Sequence, residues 1–217
     1  PKIKRVQGVY ERRNDIARGP ALMTGTRVEI DFMKACSDTV PNCTLEQELY
    51  QAMKETPLPS YTKEEMEYAA RLQSTITRPD YYGETFTEYM DEKEREKWLE
   101  CCKKPVLNMV MPYVHEERTS FNSTDVGDVS HVCPTAQIGT ATWVNGTAVH
   151  TWQAASQGKG SIAEKGAAFA AEVLAACGIR CLENPEIINK AKKEFEKRTG
   201  GIFHSPIPDG VHPRKMN

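Results

Sequence analysis

Arg27-Val28-Glu29-Ile30-Asp31-Phe32 alternates strictly between charged and apolar residues. Side chains along a strand point to opposite faces with a period of two. Val28, Ile30 and Phe32 therefore share one face and the charges share the other, which predicts a β-strand with one wet face. Just upstream, Val6, Val9, Tyr10, Ile16 and Ala17 recur at spacings that fall on one face of a helix, and Gly19-Pro20 is a helix-stop pair. Residues 1–33 read as one helix and one strand of a small α+β unit. That unit is incomplete by itself, because an amphipathic helix and a half-wet strand both need a partner surface. The chain starts at Pro1 rather than Met, and a piece of a longer protein is the expected explanation.

Downstream, residues 34–43 hold Pro41 and Asn42 and read as a crossing between domains. Thr44-Leu45-Glu46-Gln47, Thr62-Lys63-Glu64-Glu65 and Ser161-Ile162-Ala163-Glu164 each have the form of a capping box opening a helix. The first carries the stripe Leu45, Leu49, Ala52, Met53; the third carries Ile162, Phe169, Ala170, Val173, Leu174 and Cys177 and should stop at Gly178. A last helix is expected from the Asn184-Pro185-Glu186 start to Gly200-Gly201. Residues 80–118 are charge-rich and predict an inserted, solvated helix near Asp91 to Glu100, with Trp98 and Leu99 facing in and no chemistry attached. Beyond residue 119 small residues dominate, and Pro134 to Ile138 and Thr140 to Val144 read as short strands joined by a tight turn.

The chain has 217 residues, with 28 Lys+Arg against 30 Asp+Glu and a net charge of −2, which argues against a nucleic-acid-binding surface. Hydrophobic residues at 39% and charged residues at 27% are ordinary for a globular protein. No run approaches the ~18 apolar residues of a membrane span, and no leading segment reads as a signal peptide. A cytoplasmic protein with no membrane partner is expected. The seven cysteines contain no C-x-x-C pair, so a zinc knuckle and a thioredoxin-type motif are excluded, and reduced thiols are expected.

Three places could carry chemistry. In Ser120 to Ser130, Ser123, Asp125 and Asp128 could project from a loop or first helical turn and orient a cation or a substrate; the bland alternative is that Asp125 caps a short helix and Gly127 serves a turn. His150 follows the two expected strands beside Trp152, a setting that suits a metal ligand, although a lone histidine is more often an ordinary hydrogen-bonded residue. H-E-x-x-H is absent; Asp128 and His131, three apart, could ligate together if helical. Gly158-Lys159-Gly160-Ser161 leads into a helix N-terminus and could meet an anion, but the phosphate-loop pattern is missing, as is a G-x-S-x-G elbow.

Taken in order, Gly19-Pro20-Ala21-Leu22-Met23-Thr24-Gly25-Thr26, Ser123-Thr124-Asp125-Val126-Gly127-Asp128-Val129-Ser130, and His150-Thr151-Trp152-Gln153 followed by Ser161-Ile162-Ala163 resemble the peptidase M20 amidohydrolases, in the branch that acts on p-aminobenzoyl-glutamate. The resemblance implies an α/β fold: the closing half of an M20-type, phosphorylase/hydrolase-like catalytic domain, plus a remnant helix and strand of the α+β lid. By it, residues 1–38 are the end of the lid or dimerisation domain. Residues 39–217 are the C-terminal half of the catalytic domain, with the charged helical insertion near 80–118. It implies metal-assisted cleavage of an N-acyl or aryl-acyl amino acid by two divalent ions, zinc or manganese. His150 would be the last metal ligand, and Ser123, Thr124, Asp125 and Asp128 would bind substrate. The catalytic glutamate would lie in the absent N-terminal half, so the fragment alone should be inactive. The implied partners are that half and a second subunit, as a homodimer or a paired chain through the lid. The sequence departs from the family at His131, where an aromatic is usual. A non-catalytic ligand-binding or dimerisation module is the competing expectation.

Overall fold

The computed structural model describes residues 3–77, 90–115 and 124–212. Among these, eight helices follow one another: α1 (Ile3–Thr24), α2 (Cys43–Glu55), α3 (Lys63–Gln73), α4 (Glu92–Cys102), α5 (Val126–Ser130), α6 (Trp152–Ser156), α7 (Ser161–Glu183) and α8 (Pro185–Thr199). The chain divides into two compact units. One comprises Pro1–Asn42, Glu117–Thr135 and Asn189–Asn217; the other comprises Cys43–Glu116 and Ala136–Ile188.

The second unit is organised by α2 lying on α7. Leu49 and Ala52 from α2 meet Phe169, Val173 and Cys177 from α7, all buried, with Met53, Ala136, Ile138, Ala176 and Cys181 around them. Apolar residues at helical spacing on both helices make this contact, and each fully buried large side chain contributes about 1.5–3 kcal/mol. At the edge of the same contact, Arg180 Nε donates to Glu48 at 2.9 Å and its terminal nitrogen to Glu55 at 3.2 Å. Ala69, Leu72, Val106, Val144 and Ile162 form another buried cluster, flanked by Tyr61, Met66 and Ala141.

The helices expected from the sequence form, with altered ends. α7 runs through Gly178 to Glu183, and Arg180, beyond that glycine, is held by two carboxylates of α2. α1 continues through Pro20 to Thr24, whose hydroxyl donates to the Pro20 carbonyl at 2.8 Å while the Thr26 N–H reaches Ala21 at 2.9 Å. α2 begins at Cys43, one residue before the expected cap. In α4, Trp98 is buried but Leu99 is 43% exposed, because adjacent residues on a helix point about 100° apart. None of the seven cysteines is in a disulfide.

Of the expected α/β class, the described residues show the helical part. No strand forms among the described residues. Residues 27–32 carry no regular secondary structure, with Val28 and Ile30 exposed, Phe32 edge-on to Tyr10 at 5.7 Å, and Arg27 paired with Glu29. Alternation creates the two faces of a strand, but a strand also needs a ladder partner, and no described segment supplies one. The pair expected at 134–144 does not form a hairpin either. Ala136 and Ile138 pack on the α2–α7 cluster, the Val144 N–H goes to Gln157 Oε1 at 2.6 Å, and the Thr140 hydroxyl goes to the Gly166 carbonyl at 3.0 Å. The small-residue texture serves close packing on a helix instead. A Cβ at Gly166 would collide with the Ala141 carbonyl.

Two glycines of one helix should therefore respond oppositely. Gly166→Ala should lower the unfolding free energy by about 1–3 kcal/mol through overpacking. Gly178→Ala, where an added Cβ meets nothing within 4 Å, should raise it by up to about 1 kcal/mol through helix propensity. Thermal denaturation of both variants checks this; a shift of the same sign in both would contradict the packing.

Candidate functional site

His150 sits on a turn between Thr147 and α6, within the second unit. It is the single non-glycine residue with a positive φ (61°) among the described residues, and it is exposed. Histidine tolerates that region better than most side chains, but the conformation still costs about 1 kcal/mol or more, and such positions concentrate at functional sites. The turn is pinned from both sides. The Thr151 hydroxyl donates to the Ala148 carbonyl at 2.8 Å and accepts the Ala154 N–H at 3.2 Å, capping α6. The buried Gln157 spans from the Val144 N–H to the Thr147 hydroxyl and the Gln153 carbonyl. Gln153 itself reaches the Thr75 carbonyl at 3.3 Å. Val149 and Trp152 beside the imidazole are 55% and 62% exposed. The ring is thus presented to solvent on a fixed backbone, with an apolar surface next to it.

The acidic stretch belongs to the first unit. Ser123 lies outside the described residues. Thr124 is exposed, and its hydroxyl accepts the Val126 N–H at 3.4 Å. Asp125 pairs with Lys34 at 2.5 Å and accepts the Cys36 thiol at 3.6 Å; the Lys34 ammonium holds its carboxyl below the usual range. Asp128 Oδ1 accepts the Ser37 N–H at 3.0 Å. The buried Ser130 hydroxyl accepts the Val40 N–H at 2.8 Å and donates to the Gly127 carbonyl at 2.6 Å. His131 Nε2 lies 3.0 Å from the Asp38 carbonyl, and its ring lies against Phe203 at 5.5 Å. A Cβ at Gly127 would overlap the Ser37 carbonyl, so α5 and residues 34–40 touch backbone to backbone. Asp128 and His131 thus each bond to the backbone of residues 37–38.

The expected anion site at Gly158 to Ser161 is met from inside the protein. Glu65 Oε1 accepts the Ser161 hydroxyl at 2.6 Å, and Oε2 accepts Lys165 at 2.6 Å and the Thr62 N–H at 2.7 Å. Ser161 is thus a donor to Glu65, and Gly160 occupies the cap position of α7. The Thr62/Glu65 capping box forms as the sequence predicts. Lys165, then Ser161 and the Thr62 backbone, pull the Glu65 carboxyl down to about 2. A shallow hollow lined by Glu64, Glu65, Tyr68, Gln157, Gly160 and Ser161 lies alongside.

One further cluster contains none of the predicted site residues. Cys43 and Glu46, three apart at the start of α2, converge with His115 from the segment after α4. Cys43 Sγ lies 3.4 Å from Nδ1 and 3.5 Å from Nε2 of His115, and Nδ1 lies 3.4 Å from Glu46 Oε2. The Tyr113 hydroxyl donates to the same Glu46 oxygen at 2.8 Å, and its ring packs on Tyr50 of α2 at 5.8 Å. Burial, then the Glu46 carboxylate, pushes the Tyr113 hydroxyl well above its ordinary range, so it remains a donor. The i, i+3 spacing of Cys43 and Glu46 is legible as a shared helix face. His115 is not, because it arrives from a coil segment 69 residues from Glu46.

The chain is similar to one of the subunits of p-aminobenzoyl-glutamate hydrolase from Escherichia coli (strain K12). The two are 37% identical over 219 aligned positions, which take in 100% of this chain and 46% of the hydrolase polypeptide. The chain thus spans about half the length of the curated relative it matches, consistent with a C-terminal portion. No protein-family model matches the chain, and no solved structure matches it. No helix among the described residues is long and apolar enough to cross a membrane.

The Glu65 hub makes a pH prediction. Its folded pKa, about 2, lies below the ordinary value near 4.5. The stabilisation is therefore complete above about 4.5 and is lost as pH falls toward 2. Lys165→Met should lower Tm at neutral pH and flatten the loss of Tm on acidification across that window. Parallel Tm-against-pH curves for the variant and the natural protein would count against the hub.

Proposed function

We propose that this chain is the C-terminal part of an M20-type, metal-dependent amidohydrolase that cleaves the amide bond of an N-acyl or aryl-acyl amino acid such as p-aminobenzoyl-glutamate. The observation that carries the reading is His150: a solvent-presented imidazole on a left-handed turn, in a chain 37% identical to a hydrolase polypeptide with that substrate in its name. Enzymes keep a strained backbone where it aims a group, and a rigid, capped turn is what a metal-binding imidazole requires.

Among the described residues no hydrogen bond or ion pair engages the His150 ring, so its nitrogens are open to a metal. One imidazole does not hold a catalytic ion, because such sites take about three protein ligands. His150 therefore fits as one donor to a centre whose other ligands lie outside this sequence. Two divalent ions, zinc or manganese, would supply Lewis acidity and an activated water. The catalytic glutamate would also lie outside this sequence.

This chain's own contribution is positional. Thr151 and Gln157 hold the turn, and the exposed Trp152 gives a ring surface suited to an aromatic acyl group. Ser123, Thr124, Asp125 and Asp128 would serve substrate binding. In that reading the Asp125–Lys34 pair, exposed on both sides, exchanges with solvent readily and leaves the lysine available to a substrate carboxylate. A second subunit, either a copy or a paired chain joined through the lid, and a cytoplasmic location complete the proposal.

In the full-length parent, His150→Ala should abolish amidase activity and remove part of the bound metal while the far-ultraviolet circular dichroism stays unchanged. His150→Gly should be equally inactive yet melt no lower, because glycine adopts φ of +61° without a Cβ penalty. The 217-residue chain alone should show no hydrolysis. Retained activity in His150→Ala would exclude the residue from the site.

A further inference from the structure

We propose that Cys43, Glu46 and His115 bind a divalent transition-metal ion of the zinc type, in a site separate from the one His150 would complete. The three donors come from two elements, the first turn of α2 and the segment ending at His115, and their ligand atoms all lie within 4.8 Å of one another. The His115–Glu46 separation is too long for strong direct pairing. An imidazole–carboxylate nitrogen-to-oxygen distance of 3.4 Å exceeds the ~2.7–2.9 Å of a charge-assisted hydrogen bond. The His115–Glu46 separation matches one edge of a coordination tetrahedron. With zinc at about 2.3 Å from sulfur and about 2.05 Å from nitrogen or oxygen, adjacent ligands stand about 3.6 Å apart for S···N and about 3.4 Å for N···O. The observed N···O separation is 3.4 Å; Cys43 Sγ, 3.4 Å from Nδ1 and 3.5 Å from Nε2, stands against the ring and reaches a shared ion by turning about its own χ1.

Charge and softness point the same way. A thiolate, a carboxylate and a neutral imidazole together carry −2, which neutralises a divalent ion. The thiolate selects zinc-like metals over magnesium, calcium or manganese. Tyr113 donates to Glu46 Oε2 and steers the carboxylate, the role that outer partners play around metal ligands. The segment carrying His115 is braced by the Tyr50–Tyr113 contact and by Asn108, whose amide donates to the Pro59 carbonyl at 2.9 Å. The His115 and Glu46 side chains remain 32% and 24% exposed, so an ion can enter, and a fourth position stays open to water.

The test is titration of the protein with Co²⁺ alone in reducing buffer. One equivalent should develop a thiolate-to-cobalt charge-transfer band with tetrahedral d–d absorption, and Zn²⁺ should displace it. Cys43→Ser and His115→Gln should abolish the band, and Tyr113→Phe should weaken binding by about tenfold. Cys133→Ser, which removes an exposed thiol outside the cluster, should leave the band intact. His150→Ala should leave it intact too, so failure here and failure of the hydrolase reading are separable. Absence of the band in the natural protein, or its survival in Cys43→Ser or His115→Gln, would overturn the site. The first of these outcomes needs no variant and so is independent of any folding defect.

Discussion

The contact between α2 and α7 is the constraint on which the second unit depends. Ala52 and Val173 are wholly buried in it, and Leu49, Phe169 and Cys177 are nearly so. Fixing α2 against α7 fixes the direction of every other side chain on α2. Glu48 and Glu55 then face Arg180, and Cys43 and Glu46 stand together on the first turn toward His115. Fixing α7 positions its own first turn as well, where Ser161 and Lys165 close on Glu65 of α3. Gly166 lets residues 140–142 lie directly on the helix, and the same backbone run leads through Val144 to the turn that presents His150.

Polar groups in this protein are used in two ways. In the first unit, Asp128, Ser130 and His131 meet the backbone of residues 37–40, which has no sheet ladder to satisfy it. A buried N–H must find an acceptor, and side chains from α5 provide them where a neighbouring strand would otherwise do so. In the second unit, the polar groups around His150 spend their hydrogen bonds on the turn itself and leave the imidazole outward. The first arrangement satisfies the backbone of residues 37–40; the second leaves an imidazole facing solvent.

Much of the helical architecture is legible in the residues. The Thr62/Glu65 box, the Pro185 start of α8, the inward Trp98 and the α2 and α7 stripes follow from local periodicity and capping, which operate within a few residues. The strands expected at 27–32, 134–138 and 140–144 do not form among the described residues, because a residue pattern describes faces and a sheet exists only when a second segment lies alongside. Leu99 and Gly178 also depart from expectation. With Trp98 buried, the ~100° step between neighbours on a helix turns Leu99 out, and α7 continues through Gly178 to Glu183, pairing Arg180 on the way.

By itself the sequence determined where most helices start and which stripes are apolar, because these are properties of neighbouring residues; the hydrolase reading of Ser123 to Ser130 and His150 to Gln153 rests on a resemblance. Only the tertiary structure decided that Asp125 and Asp128 secure residues 34–37 and that His150 is held at a left-handed φ with its ring in solvent. It also decided that a histidine from a coil joins Cys43 and Glu46. Such groupings unite residues dozens of positions apart, and no local spacing encodes them, because the distance between the groups is set by the packing of the helices that carry them.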